Sequence, residues 1–361
     1  MTMRMTVRAI ILLVVAGASA FAAGNLPSEK QPKSHKRAVP SAEAAAKTHP
    51  IAGALLPSPK DAGFRMKGFY VWGGSLIKAD GRFHLFASRW PEGTGKGTGV
   101  AMLSGYRRHS EIVRAIADNP LGPYDFKEVV LKGRGERWWD SQMCSNPKIL
   151  RIGDTYVLYY IGSAVGSPLR KIGYAWSKSV NGPWRRIDRC LPIGEDCNNP
   201  APYVHDDGRV LLAFRIRGLR IDIAAADAWN GTYRKVAGNI CPQARLEDPD
   251  LAFRDGWYHL IAEDCYGTLT GHMRHGAHLI SRDGIHWKQH DPVEAYTHTI
   301  RWTDGTQTNV DRRERPELFN ANADRKGTGQ PTHLITGIQV GTHTWCHVQQ
   351  IASSSSKEPA Q

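Results

Sequence analysis

One unit of sequence recurs five times along the chain, and this repeat constrains the fold more than any other feature. Each unit is a short apolar segment, a turn that contains Gly or Asp-Gly, and an aromatic-rich segment. The second copy, for example, is NPKIL at 146–150 followed by GDTYVLYY at 153–160. Short apolar segments bounded by turn residues are typical of β-strands. The chain is therefore expected to consist of a strand pair repeated five times, with copies that begin at Gly74, Asn146, Asn199, Asp248 and Arg315.

A second motif, Gly followed within three residues by an aromatic side chain, lies downstream of each of the first four copies, between two further strand-like segments. It starts at Gly122, Gly182, Gly231 and Gly284. Four strands in each repeat match a propeller blade, so the sequence predicts an all-β, five-bladed β-propeller of about 20 strands with almost no helix. The fifth copy lacks the motif, which suggests that a strand from the other terminus closes the ring. A β-sandwich with accidental internal similarity is the alternative.

The propeller is expected to span residues 61–351, because both ends of the chain differ in composition. Residues 1–23 carry Arg4 and Arg8, then an apolar stretch and small residues, which is the pattern of a cleaved signal peptide. Residues 24–60 are rich in Ala, Pro and Lys and are expected to be a linker, and residues 352–361 a disordered tail. We therefore expect a secreted or periplasmic protein with no membrane contact after signal removal. An uncleaved anchor is the alternative.

The charge of the chain raises the question of a polyanionic partner. The formal net charge is +13, but no Lys/Arg-rich run occurs, so no nucleic-acid partner is expected. The sequence also lacks a Walker loop and a Gly-x-Ser-x-Gly elbow, so it gives no motif for nucleotide binding or for a serine hydrolase.

Six cysteines lie in the predicted propeller: Cys144, Cys190, Cys197, Cys241, Cys265 and Cys346. An even number in an exported chain is compatible with disulfides, and Cys190 and Cys197 are close enough in sequence to close a small loop. Buried free thiols are the alternative, because a chain of this length does not need crosslinks to stabilise its core.

The repeat resembles that of a known enzyme superfamily. A polar residue followed by Pro opens the first strand of most copies, as in Asn146-Pro147 and Asp248-Pro249, and a Gly turn and an aromatic strand follow. This pattern resembles the five-bladed β-propeller glycoside hydrolases, typified by family 43 and the related families 32 and 68, over residues 68–348. The resemblance implies a carbohydrate substrate and catalytic carboxylates that line an axial funnel, supplied by the first strands of different blades.

The resemblance places five positions around the funnel: Gly73, Asn146, Asn199, Asp248 and Arg315. In family 43 the blade-one position holds the Asp that acts as general base, whereas this chain has Gly73. The catalytic groups are therefore expected on other blades, or the protein binds carbohydrate without cleaving it.

Glycoside hydrolysis usually needs one carboxylic acid and one carboxylate. Asp248 and Glu314, at the start of the fourth and fifth copies, are the first candidates, and Asp140 and Glu111 are reserves. Asp140 follows two Trp residues, which suits a sugar site, and Glu111 opens an apolar strand, where a charge is costly unless it is exposed or functional. The structural alternatives are a turn cap for Asp248, an ion pair for Glu314, packing for Asp140 and an exposed strand end for Glu111.

Eight further residues are candidates for substrate binding. Aromatic rings stack on sugars, amides hydrogen-bond to hydroxyl groups, and guanidinium groups bind carboxylate or sulfate. His275 lies in a segment with three His residues that is expected to overhang the funnel. The set is Arg89, Trp90, Trp139, Asn146, Asn199, Arg274, His275 and Arg315.

No metal site is expected, because spacing alone fixes no carboxylate partner for His272, His275 and His278. No cofactor is expected either, with a structural or axial divalent cation as the alternative. The sequence thus predicts an exported, exo-acting glycoside hydrolase for an oligo- or polysaccharide with acidic or sulfated sugars. A carbohydrate-binding propeller without catalysis and a protein-interaction propeller are the other two interpretations, and the oligomeric state is left open.

Overall fold

The computed structural model describes residues 51–96, 103–323 and 329–353. These residues contain twenty-one strands and two four-residue helices, α1 (Ile51–Ala54) and α2 (Tyr106–His109). Five sheets form the five blades of a β-propeller, which confirms the predicted fold class. The predicted signal peptide, the linker up to residue 50 and the tail from residue 354 lie outside the described residues.

Four blades have four antiparallel strands each, and the fifth has three. Blade one is β1 (Phe69–Ala79), β2 (Arg82–Pro91), β3 (Glu111–Ala117) and β4 (Asp125–Leu131). Blade two is β5 (Met143–Ile152), β6 (Thr155–Ser163), β7 (Lys171–Ser177) and β8 (Arg185–Arg186). Blade three is β9 (Cys197–Val204), β10 (Val210–Ile216), β11 (Arg220–Ala226) and β12 (Arg234–Ala237).

Blade four is β13 (Leu246–Arg254), β14 (Trp257–Asp264), β15 (Gly276–Ser281) and β16 (Lys288–Tyr296). A hairpin of β17 (Thr299–Arg301) and β18 (Gln307–Asn309) leads into blade five, which is β19 (Arg312–Phe319), β20 (His333–Val340) and β21 (His343–Gln350). Each first strand packs against the first strand of the next blade, and β19 contacts β1 to complete the ring.

The hydrophobic core lies between neighbouring blades rather than in one central cluster. One buried cluster joins blades two and three, with Tyr159 and Phe214 among its members, and another joins blades three and four around Leu251 and Leu260. The aromatic residues that mark the sequence repeat thus supply apolar area to both faces of each sheet.

A bulge interrupts the first strand of every blade at the same place. The bulged residue adopts a left-handed backbone conformation in all five blades, with φ between 53° and 61°. Asn, Asp and Gly tolerate this conformation better than other residues, which accounts for four of the five. The five bulged residues are Gly73, Asn146, Asn199, Asp248 and Arg315, the same five that the resemblance placed around the funnel.

The chain that precedes blade one closes the ring along β21. Phe64 exchanges two backbone hydrogen bonds with Cys346, of 2.8 and 3.0 Å, and Leu55 forms a bridge with Ile351. Closure by the other terminus therefore occurs through isolated bridges rather than through the continuous strand that was expected. In the described end of the predicted linker, Ile51 and Leu55 are buried in a cluster with residues of blades four and five, so residues 51–55 are packed.

All six cysteines are free thiols, so the structure has none of the disulfides that the sequence allowed. Five of them are buried, and Cys190 is partly exposed. Among the described residues, no helix is long and apolar enough to cross a membrane.

Candidate active site

The five bulged residues surround the propeller axis, and hydrogen bonds link the side chains of four of them. The Asn146 amide donates to Asn199 Oδ1 over 2.6 Å, and the Asn199 amide donates to Asp248 Oδ1. Asp248 also accepts hydrogen bonds from the Arg315 backbone N–H at 3.1 Å and from the Arg315 guanidinium at 3.3 Å. The bulge therefore directs four polar side chains into one ring at the centre of the molecule.

Gly73 completes this ring and leaves room for Arg315. A Cβ atom at position 73 would lie 3.2 Å from Arg315 Nε and 3.6 Å from Asn146 Oδ1. Arg315 is buried, and its Nε and Nη2 atoms have no hydrogen-bond partner among the described residues. A guanidinium thus lies beside the position that holds the general base in the family that the sequence resembles.

A buried ion cluster lies two residues further along the first strands. Lys148 Nζ is 2.9 Å from Asp250 Oδ1 and 3.2 Å from Glu317 Oε2. Each carboxylate also accepts a backbone N–H of blade one or blade five, from Leu76 to Glu317 and from Leu318 to Asp250. These contacts fasten blades one, two, four and five together at the axis.

A cavity of about 630 Å³ opens on the ring and forms the funnel. Six arginines and three carboxylates line it, so the lining carries an excess of positive charge. The arginines are Arg107, Arg170, Arg215, Arg274, Arg312 and Arg315, and the carboxylates are Glu247, Asp248 and Glu314. Because all three carboxylates come from blades four and five, the acidic part of the funnel occupies one side.

The acidic side is held by arginines. Arg274 Nη1 lies 2.6 Å from Glu263 Oε1 and 2.9 Å from Glu314 Oε1, and Arg312 Nε donates to the same Glu314 oxygen over 2.7 Å. One oxygen each of Asp248, Glu263 and Glu314 lie within 4.8 Å of one another, and all three residues are buried. Glu263 backs the wall without lining the cavity.

Burial and the proximity of like charges raise the pKa values of the carboxyl groups in this cluster. Burial and the neighbouring Asp248 carboxylate raise the pKa of Glu247 to about 7, against the opposing effect of Arg215. Burial also raises the pKa of Glu263 and of Glu314, with Glu314 stabilised as a carboxylate by Arg312 and Arg274. The side chain of Glu247 is 24% exposed and lines the cavity. Glu247 is therefore a carboxylic acid that retains its proton up to near-neutral pH at the wall of the funnel.

The funnel also has an aromatic wall. Trp72 and Trp90 of blade one line the funnel together with Tyr106 of α2. The Trp90 ring packs against Tyr106 with centroids 6.0 Å apart, and Arg312 lies 5.6 Å from the centroid of the Trp72 ring. Aromatic rings together with polar and acidic groups in one cavity suit a ligand with an apolar face and many hydroxyl groups, such as a sugar ring.

Seven of the twelve residues proposed from the sequence line the funnel: Trp90, Asn146, Asn199, Asp248, Arg274, Glu314 and Arg315. The other five, Arg89, Glu111, Trp139, Asp140 and His275, are not among its lining residues. The five outside have partners elsewhere in the fold that the sequence did not reveal.

Asp140 and Trp139 have structural contacts in blade two. Asp140 is fully buried and lies 2.7 Å from Arg134 Nε and 3.1 Å from Arg186 Nη1. Its Oδ2 atom accepts a hydrogen bond from the Tyr160 hydroxyl group over 2.7 Å. Trp139 stacks on Tyr160 with ring centroids 5.3 Å apart. These contacts place Asp140 and Trp139 in the packing of blade two, outside the lining of the funnel.

Glu111 and Arg89 form an ion pair with each other. Arg89 Nη2 lies 2.7 Å from Glu111 Oε1, and the two residues are cross-strand neighbours on β2 and β3. The Arg89 guanidinium is also covered by Phe69 and Phe126, at 4.3 and 4.6 Å from their ring centroids. The charges of Arg89 and Glu111 therefore neutralise each other on blade one, and neither residue lines the cavity.

His275 lies beside the funnel in the loop between β14 and β15. Its Nδ1 atom is 2.7 Å from Glu294 Oε1, so the imidazole pairs with a carboxylate of β16. His278, from the same sequence segment, is buried in β15 and contacts His259. The expected cluster of three His residues is thus divided between a loop and a strand.

Glu247 and Glu263 are the acidic residues that sequence reasoning missed. Glu247 directly precedes the bulged Asp248, and this adjacency to a predicted funnel residue was the only feature of the sequence that pointed to it. Glu263 is paired with Glu247 across β13 and β14, a relation that only the register reveals.

No family model and no curated protein matches the sequence. Solved structures do match. A family 117 glycoside hydrolase produced by the marine bacterium Zobellia galactanivorans aligns with a TM-score of 0.62 at 15% identity, covering 84% of this chain and 92% of that chain. The catalytic domain of the Coprinopsis cinerea GH62 α-L-arabinofuranosidase aligns with a TM-score of 0.61 at 13% identity, covering 84% and 98%. The GH43_1 enzyme from Xanthomonas citri complexed with xylose aligns with a TM-score of 0.57 at 14% identity, covering 86% and 94%.

The fold is that of the five-bladed propeller glycoside hydrolases. This confirms the resemblance to family 43, and it extends the likeness to families 62 and 117. The alignments cover more than nine tenths of each of these three structures, so the likeness extends over their whole propellers.

Proposed function

We propose that the protein is a glycoside hydrolase that removes an anionic sugar from the end of an oligo- or polysaccharide. The observation that carries this proposal is the meeting, in one funnel, of an aromatic wall, two carboxyl groups with raised pKa values and an excess of arginines. The likeness of the fold to glycoside hydrolases of families 117, 62 and 43 supports the proposal.

Glu247 is assigned as the general acid. Its pKa of about 7 keeps the carboxyl group mostly protonated in a mildly acidic medium, and its side chain faces the cavity. A protonated carboxyl group can donate its proton to the glycosidic oxygen as the bond to the sugar breaks.

Glu314 is assigned as the opposing carboxylate, which acts as base or nucleophile. Arg274 and Arg312 both contact its Oε1 atom, and within the described part of the chain no donor contacts Oε2. Asp248 is less suited to this step, because Asn199 and Arg315 already engage both of its oxygens. We assign Asp248 a positioning role in the ring.

The arginines and the closed end of the funnel support the choice of substrate. Arg315 has unpartnered donors beside Gly73, and a guanidinium binds a carboxylate or sulfate group with two parallel hydrogen bonds. The buried Lys148 cluster closes the axis below the ring, which favours a chain end over the middle of a polymer. Export through the predicted signal peptide would bring the enzyme to such a polymer.

A second candidate function is carbohydrate binding without cleavage, and one observation favours it. Position 73, which the resemblance matches to the general base of family 43, is a glycine beside the Arg315 side chain. In that case the funnel would hold an anionic sugar, and Glu314 would only orient the arginines.

A chromatographic assay of released sugars distinguishes these two functions. The purified chain is incubated with neutral, uronate-containing and sulfated oligosaccharides, and Glu314→Gln serves as the matched variant. We expect release of a monosaccharide from anionic substrates, reduced about 10²–10⁴-fold in the variant. Binding without release, with only a change of affinity in the variant, would favour the second function. An absence of both release and binding would contradict the proposal.

A further inference from the structure

Two histidines and a glutamate converge next to the funnel, outside the set of residues that lines it. His272 and His275 lie in the loop between β14 and β15, and Glu294 lies on β16. Glu294 Oε1 is 3.5 Å from His272 Nδ1 and 2.7 Å from His275 Nδ1. One donor atom of each of the three residues therefore faces the same small volume, with all three atoms within 4.8 Å of one another.

The geometry of this cluster is that of a preformed ligand set. The two imidazole rings stack with centroids 4.8 Å apart at an interplanar angle of 25°. Both Nδ1 atoms lie within 3.5 Å of the same Glu294 oxygen. Two imidazole nitrogens and one carboxylate oxygen match the ligands of borderline metal ions, which bind nitrogen at about 2.0–2.1 Å and oxygen at about 2.0–2.2 Å. Hard cations such as Mg²⁺ and Ca²⁺ instead prefer sets made of oxygen atoms.

The cluster is also reachable from solvent. The side chain of His272 is 65% exposed, that of Glu294 is 29% exposed and that of His275 is 17% exposed. An ion could thus approach past His272, and a water molecule or a substrate group could complete a four-coordinate site.

We propose that His272, His275 and Glu294 bind one divalent transition-metal ion, with Zn²⁺ as the expected occupant. The site does not depend on the proposed hydrolase activity, because none of its three ligands is assigned a part in that reaction. It adds a bound ion to a region for which the sequence indicated only a substrate-binding histidine.

The ion would fix the loop that delivers Arg274 to the funnel. Arg274 lies between the two histidine ligands and contacts Glu263 and Glu314. Its backbone N–H donates to the Asp264 carbonyl over 2.7 Å, and its carbonyl oxygen lies 3.2 Å from His298 Nε2. An ion bound by His272 and His275, which flank Arg274 in the sequence, would therefore limit the movement of Arg274 relative to the carboxylates.

Isothermal titration of the chelator-treated full chain with Zn²⁺ tests the proposal, with Mg²⁺ as the comparison ion. We expect one Zn²⁺ per chain and no comparable binding of Mg²⁺. His272→Ala and Glu294→Gln should each weaken Zn²⁺ binding by at least about tenfold, since even changes around a metal site cost about 10–100-fold. His272 is largely exposed, so its variant is expected to fold normally, which circular dichroism checks.

Two control variants identify the source of any binding. His286→Ala removes an exposed histidine that pairs with Asp283 at 2.6 Å but has no second histidine beside it. Cys190→Ser removes the one partly exposed thiol. Both controls should bind Zn²⁺ with the affinity of the parent chain. The proposal is overturned if the parent chain binds no Zn²⁺, if the two ligand variants bind it as tightly as the parent, or if a control variant abolishes binding.

Discussion

Gly73 and Arg315 are neighbours in the ring, because a Cβ atom at position 73 would lie 3.2 Å from Arg315 Nε. The residue at position 73 therefore determines whether the Nε and Nη2 donors of Arg315 have a partner within the protein. A carboxylate at position 73 would face unpartnered donors of Arg315, whereas Gly73 leaves them to a ligand. The anionic substrate that we propose would thus bind the Arg315 donors that have no partner within the described part of the protein. The backbone at this position has a φ of 61°, which Asn and Asp adopt at three equivalent positions of the ring.

Gly73→Asp and Gly73→Asn test this role of Arg315. Both should fold, with a loss of about 1–2 kcal/mol for a left-handed non-Gly residue. Only the aspartate neutralises Arg315, so it should weaken binding of an anionic oligosaccharide by more than the asparagine does. Calorimetric titration measures both affinities. Equal weakening by the two variants would mean that the loss is steric and that Arg315 does not bind the anion.

The raised pKa of Glu247 gives a second prediction, on stability as a function of pH. The folded protein keeps a proton on Glu247 up to about pH 7, whereas the unfolded chain loses it near the ordinary value of about 4.3. Between these values the folded state binds more protons, so the stability that this group contributes falls as the pH rises. Glu247→Gln removes the titration. The melting temperature of the parent chain should therefore fall more from pH 5 to pH 8 than that of the variant, and parallel curves would contradict the assignment.

At the scale of elements, the loop between β14 and β15 is ordered by a single carboxylate. Asp264 accepts the backbone N–H groups of Thr268, Leu269 and Thr270 at 3.1, 2.7 and 2.9 Å. The loop in turn carries Arg274 into contact with Glu314. Order in the loop and geometry in the funnel are therefore linked through one side chain.

Asp264→Ala should loosen this loop and reduce hydrolysis. Three backbone N–H groups lose their buried acceptor, which is expected to cost about 1–3 kcal/mol. Hydrogen exchange of a peptide spanning 265–275 should accelerate. Asp283→Ala is the matched control, because Asp283 accepts the N–H groups of Ile285 and His286 in an exposed turn of the same blade. Exchange in 265–275 that matches the parent chain would show that Asp264 does not order the loop.

The elements also explain why the sequence predicted the ring and not its surroundings. The fivefold strand repeat sets the blade count and aligns Gly73, Asn146, Asn199, Asp248 and Arg315, and the resemblance to the propeller glycoside hydrolases implied that these aligned positions converge on the funnel. The partners of the other candidates are distant in sequence, although they lie in the same blade. Arg186 and Tyr160 contact Asp140, and Glu294 lies nineteen positions beyond the loop residue His275, on β16. Local spacing holds no information about such pairs, because the register of neighbouring strands creates them.

At the scale of the whole molecule, the ring is closed by the segment around Phe64 rather than by a fourth strand of blade five. Phe64 is buried in the cluster that joins blades five and one, and it pairs with Cys346. The stability of the complete propeller should therefore depend on a segment that lies outside the repeats.

Phe64→Ala should destabilise the propeller by about 3–5 kcal/mol, the usual cost of removing a buried phenyl ring. The comparison is Phe126→Ala, because Phe126 is 41% exposed on β4. That variant should lose no more than about 1 kcal/mol. Urea denaturation gives both free energies of unfolding. A loss at Phe64 as small as that at Phe126 would mean that closure does not depend on this segment.

The central claim is that the funnel cleaves glycosidic bonds with Glu247 as the general acid. The most direct test is the cleavage rate of Glu247→Gln on two substrates with the same anionic sugar, one with a sugar leaving group and one with a nitrophenol leaving group that departs without a proton. Glu136→Gln, at an exposed site, is the control. We predict a loss of about 10²–10⁴-fold on the first substrate and a much smaller loss on the second. Equal losses on both substrates, or full activity on both, would contradict the account.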